Sequence, residues 1–119
     1  MDYKQARQIS EHYKGKIGTY AVITTDGREI YAQAPNRFNA ETLSTMSATG
    51  FGAMRIAGVE IHAHNLNKFT LEDGKNTAMY VEHIREGILV VAKVDKNNKE
   101  EKTSLDKLIL ELQELNKLK

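Results

Sequence analysis

Apolar side chains recur at a helical spacing near the start of the chain, at Tyr3, Ala6, Ile9 and Tyr13. Charged residues lie between them, which is the pattern of an amphipathic helix. Gly15 follows as a stop signal, because glycine commonly occupies the position just after a helix. We therefore predict a first helix over residues 2–14.

The spacing then changes to that of β-strands. β-Branched and aromatic residues are concentrated at 18–25 and again at 28–34, and Asp26-Gly27 lies between the two segments. Asp-Gly supplies the positive φ angles of a two-residue type I′ turn, so the segments are predicted to pair as a β-hairpin.

A second helix, rich in small residues, is predicted over 39–58, with Asn39 as its cap and Glu41 in its first turn. Apolar and small residues share one of its faces, at Leu43, Met46, Gly50, Ala53, Met54 and Ala57. A glycine inside a helix costs roughly 1 kcal/mol relative to alanine, so Gly50 and Gly52 need a reason. We expect close contact with another helix. The alternative is that the glycines let the helix lie close on its own sheet, or break it.

Three further strands are predicted at 68–73, 77–84 and 88–94. The first alternates polar with apolar residues, and the last is continuously apolar, as suits a central strand that is covered on both faces. A polar loop at 95–102 precedes the final helix.

The final amphipathic helix is predicted over 103–118, with Thr103 or Ser104 as its cap. Its apolar stripe is too short for a coiled coil, so we expect it to pack on its own domain. The element order is α-ββ-α-βββ-α. The predicted fold class is α/β (α+β), with a five-stranded antiparallel sheet flanked by helices in one domain over residues 1–119.

Composition narrows the possible functions. Lys and Arg total 17 against 16 for Asp and Glu, and the two signs alternate along most of the chain, which argues against nucleic acid as a partner. The absence of cysteine excludes disulfides and thiolate metal sites. No segment approaches the roughly 18 apolar residues of a membrane span, so we expect a cytoplasmic protein without direct membrane insertion.

One pair of histidines has the spacing of metal ligands, His62 and His64. On an extended chain their rings share a face and could bind zinc, if His83 or Glu60 came near as a third ligand. The alternative, which we prefer, is two polar residues in a loop and no metal.

No enzymatic motif is found. Ser44, Thr45, Ser47 and Thr49 lack a Gly-x-Ser-x-Gly elbow, and we interpret them as small residues on the helix surface. The acidic pairs Glu72-Asp73 and Glu100-Glu101 are expected to be solvated rather than to act as an acid and a base in a cleft. No phosphate-cradling loop is present. We expect neither catalysis nor a cofactor.

The order and spacing of these elements resemble the roadblock/LC7 family over residues 15–95. The similarity rests on three features: the hairpin that turns at Asp26-Gly27, the small-residue helix at 39–58, and a three-stranded meander that ends in the apolar run 88–94. The terminal helices match in position only, and the segment at 60–67 departs from the polar, glycine-containing loop expected there.

The resemblance implies a homodimer or heterodimer whose central helices pack together and whose sheets join edge to edge. The resemblance implies that such a dimer serves as a platform for small GTPases of the Ras-like class, or as an adaptor in motor and membrane-signalling assemblies, usually without a catalytic group of its own. The predicted dimer or partner interface consists of Leu43, Met46, Ser47, Gly50, Phe51, Met54, Phe69 and Leu71. Whether the chain would activate, inhibit or only hold a GTPase stays open. The alternative is a monomeric longin-like or profilin-like module that binds a small molecule or a sorting partner.

Overall fold

A computed structural model describes residues 3–33, 40–85 and 87–115. Its helices and strands, in chain order, are α1 (Lys4–Glu11), β1 (Thr19–Thr24), β2 (Glu29–Gln33), α2 (Ala40–Glu60), β3 (Lys68–Glu72), β4 (Thr77–Arg85), β5 (Ile88–Asp95) and α3 (Lys99–Glu114). The predicted order α-ββ-α-βββ-α is confirmed. The predicted cap Asn39 lies outside the described residues, as do 116–118 of the last predicted helix.

The five strands form one antiparallel sheet in the order β2-β1-β5-β4-β3. β5 is central, which explains why its sequence is almost wholly apolar: its first five residues are buried. β2 and β3 are the two edge strands. Within the described part of the chain, no helix is long and apolar enough to cross a membrane.

Helices cover both faces of the sheet, and alternate residues of β1 point to opposite sides. Tyr20 and Val22 join a core with the leucine stripe of α3, in which Leu105, Leu108 and Leu112 are fully buried. Ala21 and Ile23 join a second core with Phe51 of α2. The leucine stripe therefore packs on its own domain, as predicted, and each buried large side chain stabilises the fold by about 1.5–3 kcal/mol.

The β1–β2 hairpin is confirmed, but the prediction of a two-residue type I′ turn is wrong. Four residues, 25–28, connect the strands, and only Gly27 has a positive φ, of 94°. Its N–H donates to the carbonyl of Thr24 (3.0 Å), and the Arg28 N–H donates to the Thr24 hydroxyl (2.8 Å). A Cβ on Gly27 would lie 3.3 Å from the backbone of Thr45, so glycine also lets the turn pack against α2.

The last helix begins at Lys99, four residues before the predicted start, and Asn98 caps it instead of Thr103 or Ser104. The Asn98 side chain accepts a hydrogen bond from the Glu101 N–H (3.0 Å). The Glu101 carboxylate in turn accepts from the backbone N–H groups of Gly18 (2.8 Å) and Asp95 (3.1 Å). The sequence predicts a loop over 95–102 because no local pattern shows that Glu101 bonds to Gly18, which lies 83 residues away in sequence.

The other acidic pair also has structural partners. Asp73 accepts backbone N–H bonds from Lys75 (2.8 Å) and Thr77 (3.2 Å), and these bonds hold the pKa of its carboxyl below the usual value of 3.8. Glu72 forms an ion pair with Lys96 (3.4 Å). Glu72 and Asp73 both remain exposed, so the expectation that this pair is solvated is confirmed.

Candidate functional site

The inner face of α2 is built from small residues and one aromatic ring. Ser44 (0% exposed), Ser47 (4%) and Phe51 (5%) recur at helical spacing and face the sheet. The interpretation of Ser44 and Ser47 as surface residues is therefore wrong, whereas Thr45 and Thr49 are exposed as predicted. Neither serine hydroxyl has a hydrogen-bond partner among the described residues. Small side chains at these positions let the helix approach the sheet closely.

The two central glycines of α2 are not required by packing within the chain. The helix is continuous from Ala40 to Glu60, so the glycines do not break it. A Cβ on Gly50 would make an ordinary contact with the Phe69 ring at 3.7 Å, and one on Gly52 would meet nothing within 4 Å. The alternative that both glycines let the helix lie on its own sheet is therefore wrong.

Gly58 is the glycine that the fold does require. A Cβ there would lie 2.5 Å from Leu66 Cδ1 and 2.8 Å from the carbonyl oxygen of Ala63. The segment after α2 folds back over this position, so its path depends on the missing side chain.

The face of α2 that bears Gly50 lies about a quarter of a turn from the inner face, on the side of Phe69. Met54 (50% exposed) and Met46 (63%) belong to this lateral face. Further exposed apolar side chains continue around the outside of the helix and into the following turn. We call the whole set the α2 apolar surface: Met46, Met54, Ile56, Val59 and Ile61.

β3 is a mostly exposed edge strand next to this surface. Phe69 is half-buried and Leu71 is 58% exposed. They pair with Val81 and Met79 of β4, which belong to the core beneath α2, so both side chains lie on the α2 side of the sheet. The lateral face of α2 and the β3 edge are therefore neighbours.

The predicted interface residues divide into three groups by burial. Ser47 and Phe51 face the sheet and contribute no exposed surface. Leu43, Gly50 and Phe69 are half-buried, with Gly50 beside the Phe69 ring, and Met46, Met54 and Leu71 are exposed. The role of this set in an interface stays a prediction.

The histidine pair does not adopt the geometry on which a zinc site depended. His62 has a φ of 60° and lies in the turn after α2, so the segment is not extended. Across the described ranges, no group of three or more His, Asp or Glu side chains is arranged to hold a metal ion.

His83 lies elsewhere, beneath α2, in a shallow depression that sequence reasoning missed. Its ring is 5.5 Å from that of Phe51, and the Arg55 guanidinium is 5.6 Å from the Phe51 ring. The depression, of about 410 Å³, is also bordered by Thr25 and Gly87. Burial, followed by the Arg55 charge, holds the pKa of His83 below its usual 6.5. No sequence signal joins these residues, because they come from separate elements that only the fold brings together.

The three layers, the strand order and the single small-residue helix on one face of the sheet together define a roadblock/LC7 fold. Comparison with solved structures agrees. Myxococcus xanthus MglB superposes with a TM-score of 0.78 at 12% identity over 100% of both chains. A structure described as MglB with tetrameric arrangement gives a TM-score of 0.74 at 18% identity, covering 93% of this chain and 87% of that one.

A roadblock/LC7 domain from Streptomyces avermitilis gives a TM-score of 0.65 at 12% identity over 80% of this chain and 81% of that one. A scan against protein-family models finds no match, and a search of the curated proteins finds no relative. The similarity is thus one of fold, carried by architecture rather than by sequence.

Proposed function

We propose that this chain is a non-enzymatic, cytoplasmic, dimeric scaffold that binds and regulates a small GTPase of the Ras-like class. The observation that carries the proposal is the α2 apolar surface, where Ile56 is 70% exposed and Ile61 is 74% exposed. Several large apolar side chains exposed on one helix are typical of a surface that binds a partner protein. The similarity of fold to MglB, including a structure described as a tetrameric arrangement, supports self-association.

The two exposed features suit two kinds of contact. The β3 edge carries backbone groups that another strand can satisfy, which favours dimerisation through the sheet. The α2 apolar surface offers flexible methionine side chains, which adapt to the shape of a partner. In a dimer, two copies of this surface would form the platform for a GTPase.

The first test is the solution mass of the chain over a concentration series, by light scattering after size exclusion. The proposal expects a species of twice the 13.4 kDa chain mass. Met54→Glu places a charge on the lateral face and should shift the equilibrium towards monomer. Leu110→Glu is the matched control, since Leu110 is similarly exposed (56%) but lies on α3, across the sheet. A monomer at every concentration would contradict the dimeric scaffold.

The second test addresses the GTPase. Immobilised chain is exposed to purified Ras-like GTPases from the same organism, each loaded with GDP or with a non-hydrolysable GTP analogue. The proposal expects at least one to be retained in a nucleotide-dependent manner, and Ile56→Glu to abolish retention. Equal retention of both nucleotide states would contradict the regulatory part of the proposal, and retention of neither would contradict GTPase binding itself.

One observation favours a second candidate, a monomeric module for a small anionic ligand. A groove between α1 and β2 is lined by Lys4, Arg7, Arg28 and Glu29. Arg7 and Arg28 are, however, each in an ion pair with a neighbouring carboxylate. A strictly monomeric chain that binds acidic metabolites, with the binding lost in Arg7→Ala, would favour this candidate over the scaffold.

A further inference from the structure

The depression beside His83 is bordered by residues of α2, of β4 and of two turns. The rings of Phe51 and His83 are 5.5 Å apart and tilted by 35° to each other. Thr25 and Gly87 contribute from the β1–β2 and β4–β5 turns, and the Thr25 N–H donates to the Gly87 carbonyl (3.1 Å). This bond holds the two turns together at the edge of the cavity.

The side that α2 contributes carries almost no side-chain bulk. Ala48 and Gly52 border the cavity and lie about one helical turn apart. Glycine often occurs where a ligand approaches the backbone closely, and no packing contact within the chain requires it at Gly52. The volume of about 410 Å³ lies within the range of about 300–1,000 Å³ that small-molecule sites occupy.

Arg55 supplies the charge of this cavity. Its guanidinium lies 5.6 Å from the Phe51 ring, a distance at which a cation is attracted to the ring face. Arg7 and Arg28 each form an ion pair, whereas Arg55 has none in the part of the chain that the structure describes. Because the pKa of His83 is lowered, its ring is neutral near pH 7 and can accept a hydrogen bond.

We propose that this depression, which we call the Arg55 cavity, binds a small planar aromatic carboxylate. The Arg55 guanidinium pairs with the carboxylate, because its N–H groups match the two oxygens. The ligand ring packs against Phe51 and Gly52, where no side chain obstructs it. A single cation in a mostly apolar cavity suits a single negative charge, which favours a carboxylate over a phosphate dianion.

The Arg55 cavity is complete within one chain and does not depend on the proposed dimer. Gly52 lies about 200° around the helix from Gly50, so contact between two lateral faces would leave the cavity accessible. The cavity is also separate from the groove between α1 and β2, where Tyr3 and Ile30 belong to the core on the other face of the sheet.

Indole-3-acetate tests the proposal, because it combines a planar ring, one carboxylate and a ring N–H. The imidazole resonances of His83 in the full chain are followed by NMR and should shift saturably, with a dissociation constant of about 1 mM or lower. The pKa of His83 should rise in the complex, since a negative charge then lies beside it and Arg55. His12, at the end of α1, is the internal reference and should not respond.

Two related molecules separate the contributions of charge and ring. Indole-3-acetamide lacks the negative charge and acetate lacks the ring, so each should bind about ten-fold more weakly or worse. Equal binding of the amide would refute recognition of the carboxylate, and equal binding of acetate would refute recognition of the ring. The absence of any saturable His83 shift with indole-3-acetate would overturn the proposal as a whole.

Three variants locate the site. Arg55→Met keeps an apolar stem and should weaken binding about ten-fold or more. Gly52→Leu should fill the cavity and abolish binding while the fold is kept, because leucine favours a helix over glycine. Arg28→Met is the matched control, since it removes an arginine of the α1–β2 groove and should have no effect.

Loss of binding in Arg28→Met but not in Arg55→Met would place the ligand in the other groove and overturn the proposal. Undiminished binding in Gly52→Leu would do the same. Circular dichroism of each variant, showing an unchanged spectrum, establishes that lost binding is not a lost fold.

Discussion

The substitution Gly50→Ala should change the stability of the monomer and the stability of the proposed dimer in opposite directions. Within one chain, the new methyl group would contact only the Phe69 ring, at 3.7 Å, and would fit without displacement. Alanine favours a helix by about 1 kcal/mol over glycine, so the monomer should become more stable by that amount. For 119 residues this corresponds to a rise in Tm of about 4 °C.

The dimer should respond in the opposite direction. If the lateral faces of two α2 helices meet at Gly50, a methyl group inserted between their backbones costs about 1–3 kcal/mol, as overpacking does in cores. The dissociation constant should rise by about 5- to 150-fold. Thermal unfolding is measured at low protein concentration to report on the monomer, and analytical ultracentrifugation over a concentration series reports on the dimer.

Gly52→Ala is the matched control, since it gains the same helix propensity and its Cβ would meet nothing within 4 Å. It lies on the other flank of the helix and should raise Tm without weakening the dimer. If Gly50→Ala and Gly52→Ala strengthen the fold equally and leave the dissociation constant unchanged, close approach of a second helix at Gly50 is refuted.

Two further predictions concern the fold. Glu101→Ala should lower the free energy of unfolding by about 2 kcal/mol, because the backbone N–H groups of Gly18 and Asp95 lose a charged acceptor. Urea titration measures this free energy. An equal loss in Glu100→Ala would contradict this account. His83 should make the fold sensitive to mild acid, because burial lowers its pKa below 6.5. The contribution of neutral His83 to the stability of the fold is therefore present above pH 6.5 and is lost as pH falls through the folded-state pKa. Tm measured from pH 8 to pH 5 should therefore fall more in the wild type than in His83→Gln, and parallel curves would refute the argument.

Sequence patterns predicted the helices and strands well where one hydrophobic pattern extends over the whole element. The central strand β5 followed from its uninterrupted apolar run, and α3 from its leucine stripe. Boundaries were less accurate where a distant partner decided them. α3 starts at Lys99 because Glu101 reaches back to Gly18, a contact that no local pattern contains.

The placement of the predicted interface residues on α2 followed only partly from the sequence pattern. Helical periodicity correctly separated the lateral face of α2, with Met46 and Met54, from the face that carries the serines. It did not show which of these faces meets the sheet. Because small and apolar residues occur on both, the pattern alone did not show that Phe51 and Ser47 of the predicted interface are buried beneath α2.

The sequence by itself determined the element order, the hairpin at Gly27 and the glycines of α2. These are local properties, since they depend on residue type and on spacing of a few positions. Only the tertiary structure decided that β3 is an edge strand, that α2 exposes its methionines, and that His83 lies beside Arg55. These depend on which surfaces long-range packing buries, and burial belongs to the whole folded chain.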